Sequence, residues 1–309
     1  MYVSNPLVSV IINCHNSEKY IRESINSALA QTYKNLEIII WDNKSSDNTR
    51  KIIESFQDKR IKYFYSATFY PLGKARNKAI TESSGNFLAF LDSDDIWLPE
   101  KLEAQIPLFE DSKVGIVISN TIFFSDTKEK NLFLDKNPPP QGYVFSELLR
   151  RYFVSMETLV LRKEALDFDN LFDERFSFIE EFDLVLRISL KWKLAYSNKV
   201  LSKWRIHSES LTWVRPLGFS EEREIFIEKM SNLINNFEKK YAIELEHLKR
   251  QSDFERAVFF LESNQKKIAR KYTKRNKFFN LKWFVFHMLT FFPFALFQKV
   301  ESYRGYKNR

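Results

Sequence analysis

The sequence predicts an α/β fold, a mainly parallel sheet flanked by helices, with a helical C-terminal extension. Three observations predict it. Short β-branched runs alternate with amphipathic segments over the first 120 residues, the pattern of parallel strands joined by crossover helices. Several of those runs end in clustered polar residues, at the carboxyl edge where such sheets bind ligands. Beyond about residue 218 strand signals stop and the chain reads as all-helical and basic.

The elements follow in order. LVSVIIN (7–13) and LEIIIWD (36–42) are short, β-branched and bounded by polar residues, as buried strands are. Between them, SEKYIRESINSALAQTY places Tyr20/Ile21, Ser24/Ile25 and Ala28/Leu29 four apart, an amphipathic helix with Ser17 as its expected N-cap. SSDNTRKIIESF (45–56) reads as a capped helix, IKYFY (61–65) as a strand, GKARNKAITESS (73–84) as a helix and NFLAFLD (86–92) as a strand. PEKLEAQIPLFE (99–110) is a helix opening on Pro99 at its first position, and VGIVIS (114–119) a strand. The second half is less regular. NPPPQGY (137–143) is a loop, VFSELLRRYF (144–153) a helix, METLVLR (156–162) a strand and EEFDLVLRISLKW (180–192) a helix. KLAYSN and VLSKWRIH read as two strands, the second ending at His207. No internal repeat is present. The expected division is a catalytic-type domain over 1–217 and a helical, basic region over 218–309.

Composition narrows the function. The chain of 309 residues has only 6 glycines, with neither GxGxxG nor GxxxxGK[ST], which argues against dinucleotide-binding and P-loop sites. A single cysteine, Cys14, excludes an internal disulfide framework and a Cys-based zinc site, and fits a reducing compartment. The N-terminal stretch MYVSNPLVSVIIN lacks a charged leader and a cleavage site, so no secretory signal is expected. The net charge of +8 is uneven: residues 261–309 carry twelve Lys/Arg against Glu262 and Glu301, so the preceding residues sum to about −2.

FLAFLDSDDIW (87–97) drives an apolar strand into Asp92, Ser93, Asp94 and Asp95. Carboxylates spaced one apart at a strand end suit a hard divalent cation that keeps places for water and substrate phosphates. The bland alternative is a solvated turn before a helix. A nucleotide-sugar donor needs such a cation, because its diphosphate leaving group gathers negative charge.

VSVIINCHNSEKYIRESINSALAQTY, EIIIWDNKSSDNT, GKARNKAI, GNFLAFLDSDD and EEFDLVLR, in this order, resemble the family 2 glycosyltransferases, inverting enzymes of the GT-A fold. The resemblance covers residues 7 to about 212. It implies that Asn13, His15 and Asn16 at the first strand end, with Asp42 and Asn43 after the second, bind the nucleoside. The second position is usually Asp, and an Asn43 amide both donates and accepts toward a uracil imide. UDP is therefore expected ahead of dTDP. Arg76, with Asn77, matches an ARN element whose guanidinium suits a diphosphate. Asp94 matches the metal-binding carboxylate of the DxD element; Asp92, with Ser93, is expected near the ribose or a metal-bound water, and Asp95 to support the following helix. The catalytic base matches the second residue of the Glu180-Glu181 pair, hence Glu181, with Asp183 as the alternative. WRIHSESLTW (204–213) resembles an arginine-x-histidine element in which His207 is a second protein ligand to the metal or touches the diphosphate.

The tail carries WFVFHMLTFFPFALF (283–297), fifteen residues interrupted by His287 and Pro293 and flanked by Lys/Arg clusters. It is shorter than the roughly 20 residues a bilayer requires. A basic aromatic segment of this kind lies in the interface of an anionic membrane, the alternative being a helix buried against protein. No nucleic-acid motif accompanies the charge. The expected function is transfer of a sugar, of the hexosyl type, from UDP-sugar with Mg²⁺ or Mn²⁺ to a saccharide acceptor, lipid-linked, in surface polysaccharide or glycan assembly. The expected location is cytoplasmic, peripheral at the inner face of the cell membrane. A sugar nucleotidyltransferase and a non-catalytic partner-binding relative are the alternatives.

Overall fold

Two runs of β-branched residues, Val8–Cys14 (β1) and Leu36–Asp42 (β2), lie at the heart of a nine-stranded sheet and are buried almost throughout. The computed structural model describes residues 5–125, 128–132, 134, 138–207, 216–292 and 294. They divide into two compact units, 1–148 with 152–207, and 149–151 with 208–309.

In the first unit, β1 is followed by α1 (Ile21–Leu29), β2 by α2 (Thr49–Glu54), β3 (Ile61–Tyr65) by α3 (Leu72–Thr81), and then comes β4 (Phe87–Phe90). These four strands run parallel, Asn13 beside Trp41 and Trp41 beside Phe64 in register. On one face, Val8, Val10 and Ile12 pack with Ile21, Ile25 and Ala28 of α1. Gly85 lets β4 start tight against β1, since a Cβ there would sit 2.6 Å from the Ser9 nitrogen.

The rest of the sheet is mixed. The order is β3-β2-β1-β4-β8-β6-β9-β5, with β7 paired to β6. Here β5 is Ile96–Trp97, β6 Val114–Ser125, β7 Lys128–Leu132, β8 Val160–Arg162 and β9 Lys193–Arg205. β8 runs antiparallel between β4 and β6, whereas β6 and β9 are parallel. Helices α4 (Lys101–Gln105) and α6 (Glu180–Ser189) belong to this unit, and α5 (Phe145–Arg150) begins in it. The α/β class with flanking and C-terminal helices is as the sequence predicts.

Several local expectations are corrected. Ser17 does not cap α1: its carbonyl accepts from Tyr20 and Ile21, forming a turn ahead of a helix that starts at Ile21. Pro99 does not open α4, which begins at Lys101 and tightens into a 3-10 turn over Ile106–Glu110, where Pro107 lacks the N–H a helix needs. Met156–Thr158 is a 3-10 turn rather than strand, so only Val160–Arg162 pairs. KLAYSN and VLSKWR form one strand, β9, whose register against β6 shifts near Asn120.

The second unit holds α7 (Pro216–Leu233), α8 (Phe237–Lys240), α9 (Ala242–Glu262), α10 (Lys266–Asn276) and α11 (Leu281–Leu289). Asn280 caps α11 by accepting from the Trp283 N–H. Ala257, Val258, Leu261, Ala269 and Phe286 form its buried cluster. No described helix is long and apolar enough to cross a membrane. Residues 208–213 of the arginine-histidine element, and 293 and 295–297 of the aromatic segment, lie outside the described residues.

Candidate active site

The carboxyl ends of β1, β2 and β4 bring the expected polar residues to one edge. The ends of β1 and β2, where the resemblance puts the nucleoside, come first. Asp42 is fully buried; its Oδ1 accepts from the Ser45 N–H at 2.8 Å and its Oδ2 from the Tyr63 hydroxyl at 2.8 Å. Asn43 is buried too, and its amide clasps Tyr70, donating to the Tyr70 carbonyl at 2.8 Å and accepting from the Tyr70 N–H at 3.0 Å. His15 Nδ1 lies 2.9 Å from the Asn43 carbonyl, so Nδ1 carries the proton and donates. Its Nε2 then accepts from the Asn16 amide at 3.3 Å. Asn16 sits at φ 49°, a left-handed conformation Asn tolerates, and its Oδ1 accepts from the Ser46 N–H. Asn13 Nδ2 is buried without a hydrogen-bond partner among the described residues, a donor that a ligand oxygen would satisfy. Burial holds the Cys14 thiol well above its usual range, which makes it inert.

On the other side lies the acidic turn. Asp94 Oδ2 and His207 Nε2 are 2.7 Å apart, the imidazole leaning on the Tyr20 ring at 5.2 Å. The end of β9 is fastened to the turn by Arg205. Its N–H donates to Asp95 Oδ1 at 2.8 Å and its Nε to the Asp94 carbonyl at 2.8 Å. Asp95, 2% exposed, therefore holds the strand that delivers His207 rather than the following helix. Burial and the neighbouring Asp94 raise its pKa. Ser93 meets Ser17 at 2.9 Å between hydroxyls, linking the turn to the β1 loop.

Arg76 joins the turn to α6. Buried to 4% exposure, it donates to Asp92 Oδ1 at 2.9 Å and ion-pairs with Glu180. Its guanidinium thus neutralises two carboxylates, and Asn77 is spent on the Phe172 backbone. Glu181, one residue on, has no ion-pair partner among the described residues. Burial, then the adjacent Glu180 charge, pushes it up to about 8, so its proton-accepting form is populated mainly above neutrality. Asp183 is fully buried and salt-bridged to Arg187 at 2.8 Å, with a role in holding α6 together.

The residues fit a divalent cation in part. Two donor atoms on one cation about 2.1 Å away sit roughly 3 Å apart, close to the separation of Asp94 Oδ2 and His207 Nε2. Asp92 is turned to Arg76 instead. Among the described residues no three ligating side chains gather, so a cation there would take its remaining ligands from water and phosphate oxygens.

Sequence reasoning missed the floor beneath the turn. Glu157, 2% exposed, has a pKa raised by burial to about 7; Ser155 donates to its Oε2 at 2.5 Å. Trp97 Nε1 donates to the Glu157 carbonyl, and fully buried Lys101 lies 4.3 Å above the Trp97 ring. Burial drops Lys101 to about 7. An isolated Glu in METLVLR and a Lys in an amphipathic stretch carry no motif, so nothing in the sequence marks them.

A mixed sheet with an acidic strand end and a carboxylate-led helix beside it makes a strand-end site of the α/β class. The glycosyl transferase family 2 model matches residues 9–167, half of the chain, and the chain belongs to that family. Two relatives from Escherichia coli are the UDP-Glc:alpha-D-GlcNAc-diphosphoundecaprenol beta-1,3-glucosyltransferases WfgD and WfaP. WfgD is 35% identical over 208 residues, 67% of this chain and 79% of the relative. WfaP is 32% identical over 209 residues, 67% and 80% of the two chains. Among solved structures, S. aureus TarS 1-349 in complex with UDP-GlcNAc superposes with a TM-score of 0.67 at 22% identity, covering 86% of this chain and 80% of that one. The Pyrobaculum calidifontis mannosyltransferase PcManGT, in complex with GDP-Man and Mn²⁺, gives 0.63 at 14% identity, over 92% and 84%. These two likenesses establish the fold, which is GT-A.

Proposed function

We propose that this glycosyltransferase inverts configuration while moving a hexose from UDP-sugar to a saccharide carried on a lipid diphosphate, in the assembly of a surface polysaccharide. The observation that carries the reading is the Asp92–Arg76–Glu180 chain, which ties the acidic turn to the start of α6, where Glu181 is the next residue. The names of WfgD and WfaP support the donor and acceptor classes.

In this reading Asn13, His15, Asn16, Asp42 and Asn43 shape the nucleoside pocket. Asp94 and His207 would hold Mg²⁺ or Mn²⁺, which offsets charge on the departing diphosphate. Glu181 takes the acceptor hydroxyl proton as the oxygen bonds to the anomeric carbon. The bond to the β-phosphate oxygen breaks on the opposite face and its electron pair leaves with UDP. Arg76 keeps Asp92 and Glu180 from raising Glu181 further. The acceptor's lipid places the work at a membrane surface, on its cytoplasmic face.

A thermal-shift screen tests the donor, because a ligand bound only by the folded state raises the melting temperature. UDP-sugars with Mn²⁺ should stabilise the protein more than dTDP- or GDP-sugars, and a GlcNAc-diphosphate lipid should then accept the sugar. No shift with any nucleotide sugar would remove the reading.

A further inference from the structure

The described chain exposes fifteen large hydrophobic side chains, and seven of them fall between Phe278 and Phe292. Phe278 is 83% and Leu281 77% exposed, at the turn joining α10 to α11. On α11, Trp283, Phe286 and Leu289 belong to the unit's own buried cluster. Leu281, Phe284 and Met288, at helical spacing, stay outside it, and Phe291 and Phe292 extend the apolar surface past the helix end. The helix is two-sided, with one side unpartnered among the described residues.

What surrounds this surface is cationic. From residue 263 to 292 there is no Asp or Glu, against eight Lys/Arg between 266 and 282. Cations flank the rings themselves: Lys277 lies 4.5 Å from the Phe278 ring centre, Arg250 3.8 Å from Phe279 and Arg270 4.7 Å from Phe291. An aqueous partner has no use for so many exposed phenyl rings, while a neutral apolar partner has none for the charge. A surface with acyl chains beneath and phosphates above uses both.

We propose that the α10–α11 turn and the outer side of α11 form a docking face for an anionic bilayer. Phe278, Leu281 and Phe292 enter the acyl boundary, and Lys271, Lys274 and Lys282 meet lipid phosphates. The proposal rests for its purpose on the reading above, since a lipid-linked acceptor is met at a membrane.

The test is co-sedimentation of the full chain with phosphatidylcholine vesicles, with and without phosphatidylglycerol. The wild type should pellet with the anionic vesicles, and less so as salt rises. The F278E/L281E/F292E variant should bind at least about tenfold more weakly with an unchanged melting temperature, the side chains being exposed. The K271E/K274E variant should lose only the phosphatidylglycerol dependence. Wild-type protein that ignores anionic vesicles, or a triple variant that binds as before, overturns the face. So does self-association that the triple variant abolishes while vesicle binding is absent. Vesicle binding that persists when sugar transfer fails supports the face and counts against the reaction alone.

Discussion

The two sides of the strand-end site solve different problems. At the ends of β1 and β2, the polar heads are closed by hydrogen bonds with neutral groups: Asp42 by Ser45 and Tyr63, Asn43 by both ends of the Tyr70 peptide, His15 by the Asn43 carbonyl. On the acidic side the contacts are ionic or run to an imidazole: Arg76 lies between Asp92 and Glu180, Arg205 against Glu23, and Asp94 is within hydrogen-bond distance of His207. The first arrangement fixes shape and, among the described residues, leaves Asn13 Nδ2 and Trp41 Nε1 as buried open donors. The second fixes protonation, because buried charges shift one another. Substitutions should therefore move binding or stability on the first side, and pH or metal dependence on the second.

The largest effect is expected at Glu181. Glu181→Gln should leave donor binding intact and cut turnover by two or more orders of magnitude, roughly the worth of a positioned base. With Glu181 raised to about 8, the base is protonated below that pH, so wild-type turnover should climb as pH rises and level off beyond about 8. A profile already flat from pH 6, or the same loss in Asp183→Asn with Glu181→Gln active, would place the base elsewhere. Asp183→Asn should instead lower the melting temperature through loss of the Arg187 pair and keep most of the turnover.

Next comes the cation. Asp94→Ala should abolish the Mn²⁺-dependent part of UDP binding, measured by calorimetry with and without metal. Metal dependence that survives the change would remove Asp94 from the ligand set. His207→Ala should weaken the same term less, since imidazole brings no charge of its own to a cation.

Arg76→Met should be mainly a folding defect. It leaves Glu180, 3% exposed, as a buried carboxylate without its cation, and breaking such a pair costs about 3–5 kcal/mol. Urea titration measures it. A variant of wild-type stability that has lost UDP-sugar binding would show that Arg76 is chiefly a diphosphate contact.

How much of this the sequence holds depends on whether a feature is local. β1, β2, β3 and β4 announce themselves through β-branched runs, and the residues at their ends through the motifs that follow. Asp94 stands out as a candidate for that reason, and Glu181 through the paired glutamates that open α6. Arg76 is legible as a residue but not in its partners, because Asp92 and Glu180 reach it from sixteen and 104 positions away. Asp95 misleads for the same reason: a carboxylate before a helix suggests helix support, yet its oxygen meets Arg205, 110 residues on. β8 shows the other limit. It starts only after a 3-10 turn at Met156–Thr158, and the run METLVLR that contains both reads as one strand.

The smallest and most discriminating change is Asn43→Asp. The family commonly has Asp here, so a side chain reading the nucleobase should gain UDP affinity from the carboxylate, which accepts from a uracil imide N–H. The structure gives the opposite expectation. Asn43 Nδ2 donates to the Tyr70 carbonyl, and a carboxylate oxygen would face that carbonyl with no proton to offer. The Tyr70 N–H would still be accepted, so half of the clasp survives. Losing the other half at a buried site should cost about 1–3 kcal/mol. UDP affinity should be unchanged or lower, because residue 43 would then hold the Tyr70 segment through one hydrogen bond instead of two. Calorimetry beside a denaturation curve separates the outcomes: tighter UDP binding would mean that residue 43 turns from Tyr70 to the base, and the rim is then less fixed than its hydrogen bonds imply.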